Sequence, residues 1–317
     1  ELIDRSPMPE GDTLWRTADR MHRALAGEPL TISDLRWGDL ATADLVGMTT
    51  LEVRARGKHL LHRLDSGLTL PSHLRMEGQW RIVHPGPETE RIRRHHDLRA
   101  LLVTEHWSAA GLRLGMLDLV PTRVENTLVG HLGPDVLGPD WDPATAAANL
   151  TAYEGFVGDA LLDQRTLAGV GTYWASEALF VERILPWTRT SDLTPDQVDH
   201  LVTRIHRLMD RAQDHAIQSS TGILRQGEES WVHGRSGRPC RRCGDTIRVA
   251  MTGQPPRERT LFSCPTCQGG MAPTDDGRPQ APLGAGRVRP RTPEQLRGRG
   301  LAGAPGPRGP RPERRAR

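Results

Sequence analysis

Three groups of residues in this chain have types and spacings that could do chemistry. The first is Pro9-Glu10, which follows Met8 and precedes an amphipathic stretch. A Met-Pro bond is a usual site of initiator-methionine removal. If the mature chain begins at Pro9, its nitrogen is a free secondary amine beside a carboxylate. A free α-amine has a pKa of about 7.7–8.0, well below that of lysine, so it is a usable nucleophile at neutral pH. The second is Lys58, the single lysine among 42 basic residues. Arginine stays charged at any working pH, whereas lysine can lose its proton, so a lone lysine in this background marks a position where arginine fails. The third is the quartet Cys240, Cys243, Cys264 and Cys267, spaced Cys-x2-Cys-x20-Cys-x2-Cys. Two thiolate pairs at that spacing make a closed tetrahedral zinc site on a β-ribbon. Four protein ligands leave no open position for water, so one structural Zn2+ per chain is expected.

The bulk numbers bound what must position these groups. A chain of 317 residues suggests two or three domains. Hydrophobic content of 36% with only 4% aromatic residues implies that part of the chain builds no core. With no run of about 18 apolar residues and no secretory or lipidation signature, the expectation is a soluble cytoplasmic protein with no membrane partner. The formal charge is +3, unevenly placed: residues 271–317 carry eleven Arg against Asp275, Asp276, Glu294 and Glu313. The rest is therefore slightly acidic, which excludes a uniformly basic nucleic-acid-binding body and leaves only local basic patches.

Periodicity then divides the chain. Residues 1–7 read as an extension. Leu14, Ala18, Met21 and Leu25 recur at helical spacing, with Gly27 as the stop. From 30 to 120, short apolar runs punctuated by Gly and Pro read as strands: "LEVRARGKHLLHRL", "GLTLPSHL", "QWRIVH", "LRALLVTEHW" and "LRLGMLDLV". This predicts an antiparallel β-sandwich or barrel with one leading helix, over 8–129. A Gly/Pro-rich linker opens a helical region, 130–231, with helices at 143–153, 157–163, 173–183 and 195–215. "LAGVGT" (167–172) is a glycine turn between two of them, giving a helix–two-turn–helix shape. The cysteine ribbon spans 232–270. The Pro/Gly/Arg-rich tail, 271–317, is too poor in apolar residues to offset its ordering entropy and is expected to be disordered. The fold class is α+β, multidomain.

These pieces, in order, resemble the endonuclease VIII branch of the formamidopyrimidine-DNA glycosylase family. "MPEGDT" resembles the family's amino terminus, "RGKHLL" its hairpin lysine motif and "SHLRMEGQWRI" its lesion-pocket loop. "HLGPDVL" is similar to its linker, "LLDQRTLAGVGTYWASEALF" to its helix–two-turn–helix signature, and "HGRSGRPCRRCG…RTLFSCPTCQ" to its zinc finger. "PEGDT", with no Asp-Pro-Arg-Arg-Phe-Gly stretch near 115, favours endonuclease VIII over the 8-oxoguanine branch.

The resemblance implies a bifunctional DNA glycosylase/AP lyase of base-excision repair, acting on oxidised pyrimidines in damaged DNA as a monomer. Pro9 would attack C1′ of the damaged nucleotide and form a Schiff base, with Glu10 as acid/base. Lys58 would contact the phosphate beside the lesion, and Arg259 would grip phosphate from the finger and assist δ-elimination. Met76 would fill the hole left by the flipped base, with Arg75 beside it on the DNA. His131 stands near the linker's Gly-Pro, where some members carry a phosphate-binding arginine. The backbone amides of the turn ending at Gly171 would hold phosphate. Two features depart from the family's pattern. Gly171-Thr172 replaces Gly-Asn, so the Thr172 hydroxyl would donate a single hydrogen bond to phosphate, predicting weaker DNA binding. The finger's inner spacing of 20 residues, against a usual 16, predicts a longer hairpin tip. The alternative is a non-catalytic DNA-damage or junction-binding protein of the same fold, in which the Pro9 nitrogen is blocked as an amide.

Overall fold

The computed structural model describes residues 9–280. The expected extension, 1–7, and the tail from 281 onward lie outside the described residues.

Helix α1 (Gly11–Leu25) turns Leu14, Ala18, Met21 and Leu25 inward, as their spacing predicts, and begins two residues earlier than the apolar periodicity suggests. It ends where Gly27 takes a φ of 83°, a left-handed conformation open to glycine without strain. Strands β1 (Ile32–Leu35), β2 (Thr50–Arg56), β3 (His59–Leu64), β4 (Leu68–His73) and β5 (Gln79–Val83) follow. Then come the short helix α2 (Pro87–Arg93), and β6 (Leu98–Val103), β7 (Ser108–Leu112), β8 (Met116–Leu117) and β9 (Val120–Pro121). They form two antiparallel sheets, one ordered β1-β6-β7-β5 and the other β2-β3-β4-β8, with β9 also on β4. Leu14, Met21 and Leu25 of the helix share one core with Leu60, Leu70, Leu102 and Trp80 of the two sheets. The "LRLGMLDLV" segment is not one strand. At Arg113 (φ 50°) the chain leaves the first sheet, and the Gly115 amide bonds the His73 carbonyl of the second. An unbroken strand cannot serve both sheets.

After helix α3 (Asn126–Val129), the linker leads into the helical region: α4 (Pro143–Ala152), α5 (Val157–Leu162), α6 (Thr172–Val181) and α7 (Pro195–Ala212). Asp142 caps α4 by accepting from the Ala144 amide, and Thr194 and Gln197 form a capping box on α7. Helix α6 is apolar on nearly every side and buried from Thr172 to Phe180, as a helix wrapped by neighbours must be. Strands β10 (Arg248–Thr252) and β11 (Arg259–Ser263) form the ribbon's hairpin, and α8 (Pro265–Gln268) closes it. Residues 253–258 make the extended tip predicted from the cysteine spacing.

The tail does not begin at 271. Residues 271–280 pack on the ribbon: Asp275 pairs with the Arg248 guanidinium, and the Gln280 side chain exchanges two hydrogen bonds with the Val249 backbone. Composition argued against a packed segment, but the Gln280 side chain satisfies the exposed edge of β10, and Ala272 is buried in the core of the helical region.

Candidate active site and nucleic-acid interface

The site is assembled where the amino-terminal segment meets the glycine turn before α6. The Gly11 amide donates to the Gly169 carbonyl at 2.9 Å. This delivers the Glu10 carboxylate to the helix N-terminus, where it accepts from the amides of Gly171 (2.8 Å), Tyr173 (2.8 Å) and Trp174 (3.3 Å). Gly171 must be glycine: a Cβ there would lie 2.4 Å from the Glu10 Cδ. Glu10 is 1% exposed. Burial pushes its pKa up to about 7, against the opposing pull of Lys58 and the Tyr173 and Trp174 amides; the charge on Asp12 adds to the rise. A carboxyl poised near neutrality can both give and take a proton.

Lys58 sits on the β2–β3 turn, which Gly57 makes with a φ of 58°. The turn is clamped from the linker, where Asp135 accepts from the Gly57 amide at 2.7 Å and from the Leu137 amide at 3.1 Å. Burial lowers the Lys58 pKa, Glu10 and Asp12 oppose that, and Arg259 lowers it further. Lys58 therefore shares one electrostatic neighbourhood with Glu10 and with Arg259, which opens β11 and is itself exposed. Pro9, adjoining Glu10, is half-buried.

A second row of residues leads away from Lys58 along the sandwich. His59 and His73 meet edge to face with ring centroids 5.0 Å apart. Burial first, then His59, Lys58 and Arg75, push His73 down to about 4, so it is neutral at pH 7. Arg75 (φ 53°) and Met76 follow on the exposed loop between β4 and β5, and Met76 is 63% exposed. His131 is exposed in the linker, close enough to depress the His59 pKa.

Two assignments are corrected. The Gly171 amide, expected to hold phosphate, is taken by Glu10, because the turn and the amino-terminal segment pack directly together. The Thr172 side chain, expected to reach phosphate, is buried at 4% exposure, and its hydroxyl has no hydrogen-bond partner among the described residues. A threonine hydroxyl stays within the helix surface where a longer amide would project.

The ribbon is docked on α6. The Phe262 amide donates to Ser176 Oγ (3.2 Å), and Gln268 Nε2 donates to the Ile184 carbonyl (2.7 Å). Buried Glu177 accepts from the amides of Trp231 (2.7 Å), Val232 (2.9 Å) and His233 (2.7 Å), pinning the chain just before the ribbon. The four cysteine sulfurs lie within 4.8 Å of one another. The Cys240–Cys267 pair is at 3.9 Å and the Cys243–Cys264 pair at 3.4 Å. Tetrahedral zinc with bonds of about 2.3 Å would separate its sulfurs by about 3.8 Å, so the quartet fits a single metal ion.

Sequence reasoning missed Asp12, Asp135, Glu177, Gln218 and His73. Asp12, His73, Asp135 and Glu177 stood inside quoted motifs, but nothing local says that a polar residue will be buried by a distant segment: Gly57 reaches Asp135 from 78 positions away and Gln218 reaches Asp12 from 206. Gln218 carried no signal at all.

A sandwich bearing a leading helix, a helix–two-turn–helix and a four-cysteine ribbon defines an architecture, and the comparisons place it. Residues 8–114 match the formamidopyrimidine-DNA glycosylase N-terminal domain, and residues 132–223 match the formamidopyrimidine-DNA glycosylase H2TH domain. The chain belongs to the formamidopyrimidine-DNA glycosylase family, in its endonuclease VIII branch. It is 47% identical over 272 residues to a probable endonuclease 8 of Streptomyces coelicolor, covering 86% of this chain and 98% of that one. It is 40% identical to a DNA-(apurinic or apyrimidinic site) lyase of Mycolicibacterium smegmatis, covering 82% of this chain and 99% of that one. The same fold occurs in the Lactococcus lactis formamidopyrimidine-DNA glycosylase bound to DNA containing an AP site. There the TM-score is 0.69 at 22% identity, over 82% of this chain and 99% of that one. Among the described residues, no helix is long and apolar enough to cross a membrane.

Proposed function

We propose that this protein is a bifunctional DNA glycosylase/AP lyase that removes oxidised pyrimidines from DNA. The observation that carries the reading is the Glu10 carboxyl, buried beside Pro9, held by three amides at the start of α6 and poised at about 7, with Lys58 as its charged neighbour and Arg259 in turn beside Lys58. The names of the relatives point to the same chemistry.

The lone pair of the Pro9 nitrogen forms a bond to C1′ of the damaged nucleotide as the glycosidic bond breaks; the base leaves with the bonding pair and takes up a proton, and the nitrogen gives up its N–H proton, which frees its lone pair for the next step. Glu10 protonates O4′ as the C1′–O4′ bond opens, leaving an iminium between Pro9 and C1′. The iminium makes the C2′ proton acidic. Its loss expels the 3′ phosphate by β-elimination, and a second elimination releases the 5′ phosphate. Lys58 and Arg259 hold the phosphates flanking the lesion as these bonds break. Met76 enters the gap left by the flipped base, with Arg75 on the backbone beside it. His131 extends the phosphate track along the linker. Cys240, Cys243, Cys264 and Cys267 would hold one Zn2+, which closes the ribbon and so fixes the Cys264 end of β11, the strand that carries Arg259 at its other end. One chain contains every group these steps need, so we read it as acting as a monomer, in the bacterial cytoplasm.

Borohydride trapping tests the proposal. Protein whose first residue is Pro9, mixed with a duplex containing an oxidised pyrimidine or an abasic site, should give a covalent protein–DNA adduct. A mature protein in which the Pro9 nitrogen remains an amide, or a Pro9-initiated protein that binds the lesion without forming the adduct, would reduce the fold to damage recognition.

A further inference from the structure

We propose that Asp12 is a positioning residue for this reaction: a single buried carboxylate, shared by three elements, that holds the segment carrying Pro9 and Glu10 against α6. The inference rests on the glycosylase/lyase reading and deepens it.

Asp12 is 0% exposed. It accepts from the Trp174 indole Nε1 at 2.9 Å and from Gln218 Nε2 at 2.7 Å, and it pairs with the Arg16 guanidinium at 3.0 Å. The donors come from α6, from the loop after α7, and from α1 itself. Both hydrogen bonds fall on Oδ1, while Oδ2 has the Arg16 ion pair alone; burying a carboxylate is costly, and these partners offset that cost. Gln218 is itself locked, at 2% exposure. The Tyr173 hydroxyl, with one proton to give, lies within reach of the Gln218 and Glu229 carbonyls, and it accepts from the Ser220 amide. Trp174 supplies both halves of the arrangement: its indole binds Asp12 and its amide binds Glu10. The two carboxylates therefore cannot shift independently on α6. Asp12 has no place among the reacting atoms and acts through Glu10.

The charge also matters. Glu10 faces Lys58, Asp12 and the amides of Tyr173 and Trp174; Lys58 faces Glu10, Asp12 and Arg259. Asp12 itself faces Arg16. Its negative charge favours the protonated form of both Glu10 and Lys58. Removing it lowers both pKa values together, whereas removing one of its neutral donors does not.

The experiment compares wild type, Asp12→Asn, Gln218→Leu and Trp174→Phe, all as full chains beginning at Pro9. Base release is followed in single turnover across pH, with melting temperature alongside. Asp12→Asn is near-isosteric. It should fall roughly 10- to 100-fold in rate, as expected when catalytic geometry loosens, and its pH profile should move to lower pH. Gln218→Leu and Trp174→Phe, which keep the charge, should lose rate with the profile unmoved. A wild-type rate and an unshifted profile in Asp12→Asn overturn the inference. Should Asp12→Asn fail to fold, wild-type rates in both single-donor variants overturn it instead. A wild-type protein that forms no borohydride adduct sinks the glycosylase reading; one that does, beside an indifferent Asp12→Asn, sinks only this inference.

Discussion

At the amino-terminal end of α6 the Glu10 carboxylate accepts from three backbone amides, and midway along the same helix Glu177 accepts from three others. Both glutamates are buried, and burial raises the pKa of both. They differ in what surrounds them. Glu177 also takes the Ser220 hydroxyl, and its amides belong to one continuous segment, 231–233. It is enclosed by donors of the fold and joins the ribbon to the helix. Glu10 has Pro9 next in the chain, and Lys58 and Arg259 arrive from two other parts of the molecule. The same side chain in the same kind of backbone cradle is a structural clip in one place and, in the function proposed above, the proton-handling group in the other. Burial and amide donors do not make a site; convergence of chemically useful neighbours does.

The comparison can be broken most decisively at Glu10. Glu10→Gln should reduce single-turnover base release by about 10²–10⁴-fold, with lesion binding retained. A mutant that releases base at the wild-type rate would place Glu10 with Glu177 among structural groups.

The second effect is on stability. The folded-state pKa of Glu10 is raised from 4.5 to about 7, so the folded protein binds the proton more tightly than the unfolded chain does. Stability from this group is complete below about pH 4.5 and is lost as pH rises to about 7, a change on the order of 3 kcal/mol. Urea titrations across that range should show the slope in wild type and its absence in Glu10→Gln. Parallel curves for the two proteins would contradict the burial argument.

Gly171→Ala separates the cradles, because its Cβ would displace the Glu10 carboxyl and leave Glu177 untouched. Activity should fall about 10- to 100-fold with little change in melting temperature; equal losses of both would show that the two carboxylates are mechanically coupled. Glu177→Gln is the smallest expected change, about 1–2 kcal/mol of stability from imperfectly satisfied amides. Adduct formation per folded molecule should persist, and its loss would extend the site along α6.

The sequence by itself determined a good deal. The cysteine spacing specified the ribbon and the clustering of its four sulfurs, because ligand geometry demands short, fixed separations. Helical periodicity located the helices, since amphipathic faces are local requirements. Pro9, Glu10 and Lys58 were identifiable because their residue types are chemically distinctive. Only the tertiary structure decided what depends on distant segments. Glu10 and the Gly171 amide are 161 positions apart, and Asp12 and Gln218 are 206 apart. The break of the chain at Arg113 between two sheets, the packing of residues 271–280 on β10, and the burial of the Thr172 hydroxyl were likewise silent in the sequence. A pKa is set by the solvent that folding excludes and the charges that it brings near, and neither is a property of neighbours along the chain.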